Sequence, residues 1–121
     1  MEHDHIAEKV RRYYECVDAG EIDELLMLFD LDAVYNRPGY PPMTSRVAMA
    51  EFYRGERVIA SGKHTLDRMT VDESGAAVHG EFAGVLKDGR EVSLRFADFF
   101  VVDDETGFFA RRDTFFFTPM V

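Results

Sequence analysis

The sequence has no tryptophan, only one cysteine and no long apolar run. With Cys16 alone, the chain can form no intrachain disulfide and no zinc site made of cysteines. No stretch approaches the ~20 apolar residues that a membrane-spanning helix needs. The first five residues have neither the basic start nor the apolar centre of a secretion signal. We therefore expect a cytoplasmic protein without a membrane partner.

Positive charge is also scarce. The 14 Lys and Arg residues are outnumbered by 23 Asp and Glu, which gives a formal net charge of −9. A nucleic acid or an anionic membrane surface would meet net repulsion, so neither is an expected partner. The four histidines show no metal-ligand spacing, and His64, beside Lys63, is expected on the surface. We expect no metal and no organic cofactor.

The hydrophobic content of 46% over 121 residues is enough for one core, so we expect a single domain spanning 1–121. A first helix is predicted up to Gly20, and a second over about 21–29. Ser45 can cap a third helix that runs to about Gly55. The first helix has an apolar stripe with helical spacing, formed by Ile6, Val10, Tyr13 and Val17.

A short strand at 34–35 precedes a loop at 36–42 that contains three prolines and a glycine. From Lys63 onward the apolar period changes to two, which is typical of strands. Turn sequences separate four predicted strands, at 63–72, 76–87, 91–103 and 108–118. Helices followed by a strand meander predict an α+β fold, with three N-terminal helices packed on a curved antiparallel sheet.

The predicted turns place three polar residues in one row. If Asp88-Gly89 is a two-residue turn, His79 lies opposite Asp98 on the next strand. Centring the following loop on 103–108 pairs Val102 with Phe109, and therefore Asp98 with Asp113. Alternation then assigns Phe96, Phe100, Arg111 and Phe115 to the same face.

That row admits two interpretations. Charged strand residues often mark only a solvent-facing surface. The apolar neighbours of Asp98 and Asp113 favour instead an enclosed pocket, in which one of the two carboxyls is held protonated unless Arg111 or His79 neutralises it. The opposite face would carry Phe82, Phe99, Val101 and Phe116, an apolar patch from which we expect a homodimer that forms through the sheet.

Several segments along the chain resemble the nuclear transport factor 2-like superfamily, which includes SnoaL-like polyketide cyclases, ketosteroid isomerase, scytalone dehydratase and limonene epoxide hydrolase. The resemblance implies a cone-shaped α+β barrel. It also implies a fold that hosts many chemistries as well as non-enzymes. The matching segments are Arg-Arg-Tyr-Tyr at 11–14, Asp-Ala-Gly-Glu-Ile-Asp at 18–23, Leu-Phe-Asp-Leu-Asp-Ala-Val at 28–34, Ala-Glu-Phe-Tyr at 50–53, Ala-Asp-Phe-Phe at 97–100 and Arg-Arg-Asp-Thr-Phe at 111–115.

The resemblance also implies roles for individual residues. Tyr13 and Asp98 fall where ketosteroid isomerase keeps an oxyanion-binding tyrosine and a protonated aspartic acid. The position of that family's general base is Arg37, which cannot act as a base. The stretch at 112–115 is similar to one in limonene epoxide hydrolase, with Asp113 at its aspartate. The other members of that site, an arginine and an aspartate on the strand that matches 76–87, are replaced by Phe82 and Gly84.

The leading hypothesis is an acid-base isomerase, cyclase or dehydratase that acts on a small apolar, carbonyl-bearing, polyketide- or steroid-like molecule. Tyr13 and Asp98 would polarise an oxygen, and His79 or Asp113 would accept a proton. One alternative is a non-catalytic binding or assembly module, in which Arg37 pairs with a ligand carboxylate. A third hypothesis, epoxide hydrolase, ranks lower. The expected substrate contacts are Arg37, Tyr40, Phe96, Phe100, Arg111 and Phe115.

Overall fold

The computed structural model describes residues 2–117, and three helices precede most of the sheet. Helix α1, His3–Ala19, buries the predicted stripe together with Tyr14 and Cys16. It ends at Gly20, which has a φ of 74° and whose N–H donates to the last-turn carbonyls of α1. A short helix, α2, follows at Ile22–Leu26.

Helix α3, Arg46–Glu51, begins at Ser45, whose hydroxyl accepts a 3.0 Å hydrogen bond from the N–H of Ala48. The predicted cap is therefore confirmed. The helix continues into a π-helical turn, Phe52–Glu56, which buries both Phe52 and Tyr53.

Five strands form one curved, unclosed sheet in the order β1-β5-β4-β3-β2. Strands β2 to β5 form the predicted antiparallel meander, and β1 pairs with β5 in parallel. The helices pack on one face of the sheet, here called the inner face. The strand bounds are β1 Phe29–Asn36, β2 Ile59–Asp72, β3 Gly75–Leu86, β4 Glu91–Val102 and β5 Phe109–Phe116.

The hairpin between β3 and β4 differs from the predicted two-residue turn. Leu86 donates its N–H to the carbonyl of Arg90 across a three-residue loop that ends at Gly89, with a φ of 91°. A three-residue loop with a left-handed glycine at its end is a common alternative for Asp-Gly. It shifts the register by one residue, so Asp98 lies opposite Val78 and His79 lies opposite Ala97.

The β4–β5 pairing contains a second shift. Val102 pairs with Phe109 as predicted, but Val101 pairs with Arg111, so Ala110 is an extra residue on β5. This bulge places Asp98 opposite Thr114 rather than Asp113.

Because side chains alternate along a strand, each one-residue shift exchanges the two faces. The predicted row of His79, Asp98 and Asp113 is therefore wrong: Asp98 points inward, and the other two point outward. Arg111 and Phe115, predicted beside Asp98, also lie on the outer face. In the opposite sense, Phe82 and Phe116, predicted on the outer patch, belong to the inner face and contribute to the core. Among residues 2–117, no helix is long and apolar enough to cross a membrane.

Candidate functional site

A cavity of about 420 Å³ lies between the inner face of the sheet, α1, the π-helical turn and the proline loop. This volume is within the ~300–1,000 Å³ range of small-molecule sites. Most of its wall is apolar, and polar groups are concentrated at a few points. The apolar wall includes Val17, Phe52, Ile59, Phe82, Leu86, Val92, Leu94, Phe96 and Phe116.

Asp98 lines this cavity and is completely buried. Its Oδ2 accepts a 2.8 Å bond from Arg112 Nη2 and a hydrogen bond from the Tyr14 hydroxyl. Its Oδ1 accepts a hydrogen bond from the Thr114 hydroxyl, which itself lies 3.3 Å from the Tyr35 hydroxyl. Both oxygens of the carboxylate are therefore engaged by donors from α1 and β5.

Arg112 is the second buried charge of the cavity, with 5% of its side chain exposed. Its guanidinium carbon lies 4.3 Å from the ring centroid of Tyr13 and 4.6 Å from that of Tyr35. Burial would lower the pKa of Arg112, but the Asp98 carboxylate and the surrounding phenol oxygens outweigh it and raise the pKa. Arg112 and Asp98 therefore form a buried ion pair beneath aromatic rings.

Next to this ion pair, the hydroxyl groups of Tyr13 and Tyr53 have one proton that no group of residues 2–117 accepts. Arg112 Nη1 donates to the hydroxyl of Tyr13 and, at 3.2 Å, to that of Tyr53, and the two hydroxyls bond to each other. Each phenol has one proton, so one is used in their mutual bond and the other remains for a ligand oxygen. Burial raises the pKa of both phenols, against the opposing charge of Arg112. They are therefore neutral donors over the physiological pH range.

A histidine that is hydrogen-bonded to a carboxylate outside the cavity forms another polar point of its wall. His64, on β2, lines the cavity, and its Nδ1 lies 2.6 Å from Oδ1 of Asp18 on α1. The other carboxylate oxygen accepts a 2.9 Å bond from the His64 backbone N–H. The imidazole packs against Phe82 and Phe96, with 11% of the side chain exposed. The prediction of a surface histidine is wrong, because β2 folds over α1 at this point.

The proline loop contributes Arg37 and Tyr40 to the cavity wall. The guanidinium of Arg37 lies between aromatic rings, 4.9 Å from the centroid of Phe116 and 5.5 Å from that of Tyr40. Arg57, just after the π-helical turn, adds another cation and lies 5.8 Å from the ring centroid of Tyr53. Neither arginine has a carboxylate partner within residues 2–117.

The predicted site residues are thus divided between the two faces. Phe96 lines the cavity with Tyr13, Asp98, Arg37 and Tyr40, whereas Phe100 is buried behind Tyr13, with ring centroids 5.6 Å apart. The four residues on the outer face, which the register shifts exclude from the cavity, are His79, Asp113, Arg111 and Phe115.

On that outer face, Asp113 has partners of its own. It accepts a 2.9 Å bond from Arg111 Nε and a 2.8 Å bond from the amide of Asn36. Partial burial would raise the pKa of Asp113, but these two donors outweigh it and lower the pKa. Asp113 is therefore an ionised surface carboxylate and not one member of a paired-carboxylate site with Asp98.

The sequence interpretation missed four residues that complete the polar groups: Tyr14, Tyr53, Arg112 and Thr114. Arg112 and Thr114 flank the predicted Asp113, so a one-residue change of register would have found them. Tyr14 lies at the edge of the helical stripe, and it contacts Asp98 in place of Tyr13. Tyr53 could have been found from the aromatic pair that follows α3.

A group of potential metal ligands lies outside the cavity. Cys16, Glu21 and Glu24 place one ligand atom each within 4.8 Å of the others, near the end of α1. Arg12 Nη2 bonds to Glu24 and lies 3.6 Å from Glu21. The guanidinium of Arg12 therefore already provides the positive charge that a metal ion would bring to these carboxylates.

Residues 10–110 match the model of the SnoaL-like domain. The chain belongs to the SnoaL-like family. No curated protein sequence matches this SnoaL-like chain significantly.

Several solved structures share the fold of this SnoaL-like domain. A nuclear transport factor 2-like protein of unknown function from Burkholderia pseudomallei superposes with a TM-score of 0.83 at 16% identity, covering 93% of this chain and 91% of that one. A candidate polyketide cyclase from Xanthomonas campestris gives 0.77 at 21% identity over 93% and 90%. An epoxide hydrolase of the limonene epoxide hydrolase-like type from M. tuberculosis gives 0.82 at 16% identity over 97% and 86%.

Proposed function

We propose that this protein is an acid-base enzyme that moves a proton at a carbon next to a carbonyl group of a small, largely apolar molecule. The supporting observation is that His64, which is hydrogen-bonded to Asp18 on α1, lines the same apolar cavity as a group of arginine and tyrosine donors. Isomerisation, aldol-type cyclisation and dehydration next to a carbonyl can all begin with this proton transfer. The cavity therefore supports that shared step.

His64 takes the role of general base in this proposal, in place of His79 or Asp113. Asp18 accepts the proton on Nδ1 and so leaves Nε2 of His64 as an acceptor. When Nε2 takes a proton from the substrate, the Asp18 carboxylate stabilises the resulting imidazolium. An arginine stays protonated at neutral pH and cannot accept a proton from the substrate, so Arg37 is not the base.

The substrate oxygen would be bound by the Tyr13–Tyr53 pair. The one free phenolic proton donates to the carbonyl, and Arg112 polarises both phenols from behind. Charge that develops on the oxygen as the proton leaves carbon is then met by donors already in place. Asp98 acts through Arg112, so it is a positioning residue in this proposal.

The test uses 2-tetralone, an apolar ketone with acidic hydrogens next to its carbonyl. Its hydrogen exchange in D2O is followed by proton NMR with and without protein. The wild type is expected to accelerate exchange, and His64→Gln to reduce that acceleration by about 10²-fold, the usual size of a general-base contribution. His79→Gln removes a histidine from the outer face and is the matched control, with exchange expected to match the wild type.

Exchange no faster than in buffer at a saturating 2-tetralone concentration would contradict the catalytic proposal. It would favour the alternative, a non-catalytic binding module of the same fold. Epoxide hydrolysis is less well supported, because Asp113 points away from the cavity, and Asp98 is the single carboxylate that residues 2–117 contribute to its wall.

A further inference from the structure

The cavity of this acidic protein is itself cationic. Arg37, Arg57 and Arg112 line it, and Asp98 is the one carboxylate facing them among the described residues. The chain as a whole has a net charge of −9, so this local excess of positive charge opposes the overall balance. We infer that the cavity binds an apolar molecule that carries a carboxylate, held by Arg37 and Arg57.

Arg37 has the environment of a preformed anion site. Its guanidinium is flanked by three rings, with Phe52 at 5.6 Å in addition to Tyr40 and Phe116. Rings that cover the face of a guanidinium hold its plane, while its N–H groups stay in that plane for a bidentate acceptor. Its Nε is buried and has no hydrogen-bond partner within residues 2–117. With no carboxylate of the described residues beside it, the guanidinium charge is left for a ligand to neutralise.

The loop that carries Arg37 is held at its base. Tyr35 and Met43 exchange two backbone hydrogen bonds, of 2.8 and 3.0 Å, and so close the loop between them. Pro38 restricts the backbone beside Arg37, and Gly39 takes a φ of 88° that allows the turn. The position of Arg37 is therefore set before a ligand binds, which reduces the entropy cost of binding.

Within the described residues, Arg57, like Arg37, lacks the carboxylate partner that some exposed arginines of this protein have. Arg54, three residues earlier, pairs with Asp23, and Arg90 pairs with Asp88. Arg57 is half-buried at the cavity wall and has no such partner in the described part of the chain. Two cations without carboxylates on one apolar cavity match a ligand with an apolar body and an anionic end.

The inference deepens the proposed function by naming the charge of its substrate, and it rests on the same cavity but not on the chemistry of His64. Arg112 and the two phenols would take the carbonyl, and Arg37 with Arg57 would take the carboxylate. The substrate class is then an apolar keto acid or a related oxo-carboxylate.

The test compares 1-naphthylacetate with 1-naphthylacetamide, which have nearly the same shape and differ in charge. Binding of each is measured through naphthyl fluorescence anisotropy. The wild type is expected to bind the acid about tenfold or more tightly than the amide. Arg37→Gln and Arg57→Gln are each expected to remove most of that preference and to change amide binding by less than about threefold.

Arg90→Gln makes the same charge change at an exposed residue of the β3–β4 hairpin that does not line the cavity, and it should keep the preference of the wild type. Three outcomes would overturn the inference. The wild type could bind acid and amide equally, it could fail to bind the acid, or Arg37→Gln could lose affinity for both probes to the same extent. The binding assay does not depend on proton transfer by His64. A failure of the catalytic proposal would therefore appear in the exchange assay while the preference for the acid remained.

Discussion

Asp98 and Arg112 show how one buried pair can serve both stability and the site. Each charge is removed from water, and each is the counter-charge of the other. The pair also holds Nη1 of Arg112 against the two phenols that would bind a substrate oxygen. A change at Asp98 is therefore expected to act on folding before it acts on chemistry.

Replacing Asp98 by Asn should destabilise the protein by about 3–5 kcal/mol, because it leaves the Arg112 charge buried without a counter-charge. Asp98→Ala should cost a similar amount, since both variants lose the carboxylate. Urea unfolding followed by circular dichroism measures this difference. If Asp98 instead served as a neutral donor, Asn would preserve most of the stability while Ala would not. Tyr14→Phe, which removes one donor to Asp98, is the milder control, at about 1 kcal/mol.

At the scale of the elements, the wall formed by β2 and β3 depends on two facing glycines. Gly62 pairs with Gly84, and the ring of Phe82 lies against both. A Cβ added at Gly84 would overlap the carbonyl oxygen of Ser61 and lie 2.6 Å from Cζ of Phe82. The ring that forms part of the cavity wall can occupy this place because neither glycine has a side chain.

Gly84→Ala should therefore displace Phe82 and destabilise the protein by about 1–3 kcal/mol, the usual cost of overpacking. It should also weaken binding of 1-naphthylacetamide, since the displaced ring changes the cavity wall. Thermal unfolding and the anisotropy titration measure the two effects. Gly55→Ala is the control, because a Cβ there meets nothing within 4 Å. Unchanged stability and binding in Gly84→Ala would show that the wall adjusts freely.

The predictability of the fold and of the site differs for a physical reason. Local chemistry in the sequence directly indicates that α1 ends at Gly20 and that α3 begins at Ser45. It also indicates the strands, through their apolar period of two. The direction of each strand side chain depends on how many residues each turn and bulge contains. Gly89 ending a three-residue loop and Ala110 forming a bulge each changed that count by one.

For the same reason, the prediction placed Asp98 among partners from the wrong face. It paired Asp98 with His79 and Asp113, whereas the buried partners are their sequence neighbours Val78, Arg112 and Thr114. The nature of the site, a carboxylate among aromatic residues, was visible in the sequence. The identity of the facing cation was not, because it required the register.

At the scale of the whole molecule, buried phenols couple folding to alkaline pH. Burial raises the pKa of Tyr13, Tyr14 and Tyr53. An unfolded chain releases these protons near pH 10, while the folded chain keeps them. Their contribution to stability is therefore complete below about pH 10 and is lost as the pH rises above it.

The free energy of unfolding should fall above about pH 10 by up to about 4 kcal/mol per pH unit, about 1.4 for each of the three phenols. Urea titrations between pH 8 and pH 11.5 measure this slope. Tyrosinate absorbance at about 295 nm reports ionisation without interference, because the chain has no tryptophan. Tyr53→Phe should reduce the slope by about a third. The prediction would be contradicted if all tyrosines ionised near pH 10 while the circular dichroism spectrum remained that of the folded protein.

The outer face of the sheet leads to the last prediction, a homodimer. Its centre holds Phe99, Val101 and Phe115, which are 47%, 42% and 56% exposed, and the rings of Phe99 and Phe115 meet at 5.7 Å. Charges of both signs surround these residues, including Glu81 opposite Arg95, so the face can complement a second copy of itself. We propose that two copies associate through this face, which removes its apolar centre from water.

Sedimentation equilibrium at micromolar concentration should then give about twice the chain mass of 13.9 kDa. Phe115→Glu should yield the monomer, because it would place two carboxylates in a closed apolar contact. Val47→Glu makes the same kind of change at a residue of α3 that is 69% exposed and away from the sheet, and it should remain dimeric. A wild type that sediments as a 13.9 kDa monomer at every concentration would refute the dimer and leave the aromatic outer face exposed to water.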